Sequence, residues 1–147
     1  MYWFNYAAAV VIFAMMIPNF IYAKKQAGQQ QTLYGNKILE ILEKIGRIGC
    51  IFCMLCNFPD WQEWFWFDHG RTVFIIVNAG LVALYYIFWI ICWKRRGKLR
   101  ALSLSIIPTV IFVFSGIVLS YIPLIVVSVL FGATHIYLSI KREKFLS

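Results

Sequence analysis

Residues 101–140 read ALSLSIIPTVIFVFSGIVLSYIPLIVVSVLFGATHIYLSI, forty positions without an aspartate, glutamate, lysine or arginine. A bilayer core of about 30 Å is crossed by roughly 20 helical residues, so this run has the length of two crossings. The divider is Ser120-Tyr121-Ile122-Pro123. Proline has no backbone N–H to donate but fits the first turn of a helix, and the Ser120 hydroxyl is placed to cap the free amides before it.

Outward from this stretch the same pattern repeats. Residues 1–23, 48–59 and 72–93 are also free of charged side chains. The chain of 147 residues is 62% hydrophobic and 14% charged, with a mean hydropathy of +0.76. A soluble domain is about 45–50% apolar and about 25% charged, and one small core cannot hide so large an excess from water. A water-soluble globule is therefore excluded. The net charge of +8 would suggest nucleic acid in a soluble protein. Here the charges fill the gaps between apolar runs, and no nucleic-acid partner is expected.

The run over residues 48–59 covers only about 18 Å of helix and needs residues from upstream. From Asn36 the pattern is amphipathic, with Ile38, Ile41, Leu42, Ile45 and Gly49 on one side and Lys37, Glu40, Lys44 and Arg47 on the other. Glu40 with Lys44 and Glu43 with Arg47 have the favourable i, i+4 order. One helix over 36–58 is predicted, its first half interfacial and its second half inserted, with Lys44 and Arg47 snorkelling to the headgroups.

The expected fold is thus an all-α polytopic bundle forming one integral membrane domain over 1–147. Its five transmembrane helices are expected at about 3–23, 36–58, 72–93, 101–120 and 123–140, with an aromatic outer loop at 59–71. With the N-terminus outside and the C-terminus cytoplasmic, thirteen of the fourteen lysines and arginines fall inside and only Arg71 falls outside. Four crossings would divide the basic clusters between the two sides. The acids split evenly, giving +10 inside and −2 outside. The first run is not read as a cleaved signal peptide, because Lys24 and Lys25 follow the apolar stretch instead of preceding it. Tyr2, Trp3, Tyr6, Tyr22, Trp89 and Trp93 are placed as interface anchors. Residues 24–34, with Gly28 and the Gln29-Gln30-Gln31 run, form the one linker-like stretch.

Four places could carry chemistry. Cys50, Cys53 and Cys56 form a C-x-x-C-x-x-C run, but on a helix their sulfurs climb about 4.5 Å per step instead of converging on a cluster. Gly46, Gly49, Cys50, Cys53 and Asn57 read instead as a small or polar packing stripe. Cys53 and Cys56 also resemble, over four residues, the C-x-x-C of quinone-linked disulfide oxidases of bacterial membranes. That likeness implies a second outer cysteine pair, whereas the one remaining cysteine, Cys92, is expected at the inner end. No metal or cofactor is expected.

The outer loop holds the densest polar chemistry: Asp60, Glu63, Asp68, His69 and Arg71 among three tryptophans and two phenylalanines. It is a candidate outer-face site, set against an interfacial segment in which Asp68 or Thr72 caps the next helix. Within the bilayer, Asn19 and His135 lie five and six residues before Lys24 and Lys141, about 8 to 9 Å below the inner boundary. Asn57 and Asn78 share the outer side. These four are candidate intramembrane polar contacts, with no buried acid or base expected to complete a proton relay through His135. Pro18 and Pro108 are candidate kinks or helix breaks. No phosphate loop, H-E-x-x-H or G-x-S-x-G motif is present.

The expected protein is a non-enzymatic multi-pass component of a cell membrane, a prokaryotic cytoplasmic membrane being the natural setting. Its expected partners are anionic inner-leaflet lipids near 94–100, and a second copy or another membrane subunit along the stripes at Gly46–Cys53 and at Ser128 and Gly132. Two other roles remain open. One is a small oligomeric transporter or channel near Asn19 and His135, and the other is a membrane enzyme working through the outer loop.

Overall fold

The computed structural model describes residues 4, 6–26, 37–56, 68–94 and 98–146. It is all-helical, with five helices: α1 (Tyr6–Gln26), α2 (Lys37–Leu55), α3 (Gly70–Ile91), α4 (Lys98–Val118) and α5 (Ile122–Leu146). There is no strand among the described residues, only an isolated antiparallel bridge between Phe4 and Cys56 that ties the start of α1 to the end of α2.

The helices form a closed ring in the order α1, α3, α4, α5, α2, with α2 also touching α4. Neighbours along the chain alternate in direction. Gly116 meets Leu124 and Ile125 while Gly132 meets Thr109, so α4 and α5 run antiparallel, and Gly46 against Phe131 with Gly49 against Val127 sets α2 antiparallel to α5. The bundle therefore has two distinct ends. At one lie the Phe4–Cys56 bridge, the start of α3 and the α4–α5 turn; at the other lie Lys24, Lys37, Lys94, Lys98 and Lys141.

Large apolar side chains face outward on every helix, among them Phe13 (71% exposed) on α1, Ile48 (67%) on α2, Ile76 (64%) on α3 and Val126 (62%) on α5. The interior is an apolar core that includes Phe74, Tyr85, Ile111 and Phe112, with Glu43, Asn78, Ser105, Ser115, Ser128 and Thr134 buried beside it. Leaving so many large apolar side chains outside that core is costly in water. α3 and α5 are long and apolar enough to cross a bilayer, and only 17% of the most apolar window of α3 is buried in the bundle. The apolar segments Tyr6–Ile21 and Leu102–Val118 are somewhat shorter, and the charges between Lys37 and Arg47 keep α2 below the same hydropathy.

Several local expectations need correction. Ser120 does not cap α5. It closes α4 at φ 53°, with Ser120 N–H bonded to Ile117 O and Tyr121 N–H to Gly116 O, the pair of bonds that defines a Schellman ending. Proline enters one step later, at Pro123 in the first turn of α5. Neither Pro18 nor Pro108 breaks its helix. The residue before α3 is His69, whose side chain makes no cap bond, so neither Asp68 nor Thr72 takes that place. Finally, Ile38, Ile41 and Ile45 on α2 face away from the bundle, and the opposite side, with Glu43, Gly46, Cys50 and Met54, is buried. Gly49, grouped with the isoleucines in the sequence pattern, instead lies against Val127 of α5.

Candidate functional site at the basic end

Between α2 and α5, nearly two helical turns from the basic end, sits a buried carboxylate. Glu43 is 3% exposed. Its Oε1 accepts a hydrogen bond from Arg47 Nη2 at 2.7 Å and lies 2.7 Å from His135 Nδ1. The guanidinium is half-exposed and the imidazole largely covered. His135 stacks on Phe131 with ring centroids 4.9 Å apart and an interplanar angle of 15°, and Arg47 lies over the same ring at 5.9 Å. Phe131 is itself fixed edge-on against Phe112 of α4.

The sequence builds this geometry through its glycines. A Cβ on Gly46 would stand 3.0 Å from Phe131 Cβ and 3.1 Å from its Cα. Only glycine lets α5 approach α2 this closely, and that approach brings Glu43, one turn earlier, within reach of His135, one turn later. The antiparallel register then fixes the pairing. An ionised Glu43 accepts from both partners, which assigns the ring proton of neutral His135 to Nδ1 and leaves Nε2 as the free acceptor.

A second polar contact lies at the same end. Asn19 Oδ1 accepts from the Tyr85 hydroxyl at 2.6 Å, and the Tyr86 hydroxyl donates to Ala14 O at 2.6 Å, both joining α3 to α1. Together the two polar contacts draw on four of the five helices.

Asn19 and His135 each have a partner of their own, Tyr85 and Glu43. The expectation that no buried acid accompanies His135 is overturned by Glu43. Asn78 is fully buried and donates through Nδ2 to Ser115 Oγ at 3.3 Å, joining α3 to α4, while its Oδ1 has no hydrogen-bond partner. Asn57, Asp60 and Glu63 lie outside the described residues. Asp68, His69 and Arg71 are exposed around the start of α3. Among the described residues no three histidine, cysteine or acidic side chains converge as a metal site, and the four cysteines are free. Cys50 is buried, while Cys53 and Cys56 are partly covered.

Compared with models of known families, with curated proteins and with solved structures, the chain matches none.

Proposed function

We propose that the chain is an integral membrane protein that threads the bilayer five times, with the Phe4 end outside and the lysine-rich end in the cytosol. It acts as a non-enzymatic component that binds lipid and packs against a second copy or another membrane subunit. The observation that carries this is the outward-facing apolar side chains on all five helices, ending at one end in a concentration of positive charge. α2 enters as an interfacial helix whose isoleucines face lipid while Arg47 neutralises the buried Glu43.

The 94–100 segment supplies five positive charges, each worth about 1 kcal/mol beside an anionic leaflet. The test is native mass spectrometry of protein released from nanodiscs of mixed phosphatidylcholine and phosphatidylglycerol. Preferential retention of phosphatidylglycerol, lost when Lys94, Arg95, Arg96, Lys98 and Arg100 are changed to Gln, supports lipid recognition. Equal retention of both lipids refutes it.

A small oligomeric transporter or channel is the second role, favoured by the buried Glu43 against His135. A pH-dependent flux in proteoliposomes that disappears in His135→Ala supports it, and an intact flux in that variant removes it.

A further inference from the structure

We infer that Glu43 and His135 form a proton-binding site, near the basic end of the bundle, that changes the charge held between α2 and α5. The inference stands apart from lipid binding and from transport, since a static membrane component can carry such a site equally well.

The geometry defines where the proton goes. With Glu43 ionised and His135 neutral, Nδ1–H donates to Oε1, and the carboxylate and the Arg47 guanidinium cancel. The arriving proton binds the lone pair on Nε2 and produces an imidazolium facing a carboxylate at 2.7 Å. The contact gains strength because both partners are then charged. The stacked Phe131 ring stabilises the imidazolium further, since an aromatic face attracts a cation. No bond other than Nε2–H forms, and the group of three side chains moves from neutral to one positive charge. The His135 side chain is 17% exposed and lies about 9 Å along α5 from Lys141.

Charged and titratable groups face the pair from several elements. On α2 itself Glu40, Lys44 and Arg47 flank the pair; α1 carries Lys24 over Phe20, and α5 carries Lys141 over Tyr137. α3 presents Tyr85, bonded to Asn19, and α4 presents Arg100 in its first turn and the neutral Ser105 and Thr109. Glu43 is the acid in contact with the imidazole.

The chain has two histidines, so His69→Gln leaves one imidazole to observe. The full chain carrying that change and ring-¹⁵N histidine, in nanodiscs of phosphatidylcholine with phosphatidylglycerol, is followed by NMR as pH falls. At high pH the ring proton is expected on Nδ1, and acidification is expected to add the second proton at Nε2. In Glu43→Gln, half-conversion is expected to need about tenfold more protons, because the opposing charge is gone. A neutral ring protonated on Nε2 overturns the proposal, as does a Glu43→Gln variant that takes up its proton together with the parent. If that variant fails to fold, the tautomer found in the parent decides the matter.

Discussion

Glu43 and His135, 92 positions apart, meet at 2.7 Å where α2 and α5 pack closely at Gly46 and Gly49. Removing one partner leaves the other buried without its bond. In soluble proteins such a loss costs several kcal/mol, whereas polar contacts between membrane helices usually contribute about 1 kcal/mol. A double-mutant cycle with Glu43→Gln and His135→Asn, read by denaturant unfolding in detergent, should give a coupling of about 1 kcal/mol or more. A coupling indistinguishable from zero contradicts direct contact.

Gly46 controls the spacing of α2 and α5. Because the added methyl group in Gly46→Ala meets backbone and Cβ atoms of Phe131, no rotamer change relieves it, and the helices must separate. The expected loss is about 1–3 kcal/mol, the usual range for overpacking. Gly80 has nothing within 4 Å of an added Cβ, so Gly80→Ala should be neutral or slightly stabilising through helix propensity. Equal effects at both positions contradict the packing assigned here.

The Tyr85–Asn19 bond also predicts a modest effect on α3. Tyr85→Phe removes the hydroxyl bonded to Asn19 and should lower unfolding stability by about 1 kcal/mol or less. The loss should vanish when Asn19 is already leucine. Additive losses in the double variant contradict the bond.

Much of the architecture is legible in the sequence because charge and length are one-dimensional signals. The gaps at 94–100 and around Pro123 mark helix ends, and the small residues at Gly46, Gly49 and Gly132 mark close helix contacts. That Asn19 and His135 lie near the basic ends of their helices follows from counting residues back from the nearest lysine. Their partners do not, because Glu43 and Tyr85 lie on helices whose rotation about their own axes depends on packing. On α2 the usual inference inverts. In water an isoleucine stripe points inward, but beside lipid it can face outward, which turns Glu43 into the core and hides its bond to His135 from any i, i+4 reading.

Ser120 holds a left-handed backbone that costs an L-residue about 1–2 kcal/mol, part of which glycine recovers despite its greater freedom in the unfolded chain. Ser120→Gly should therefore equal or exceed the parent in thermal stability, and Ser120→Val, with a branched Cβ, should fall below both. The reverse order contradicts the Schellman ending of α4.

The central claim is that the basic end lies in the cytosol after five crossings. Reporters active in only one compartment, fused before α1 and after α5 in separate full-length proteins, test it most directly. The account predicts that the fusion before α1 reports outside and the one after α5 reports cytosol. Both reporters in one compartment would mean an even number of crossings and would contradict the account.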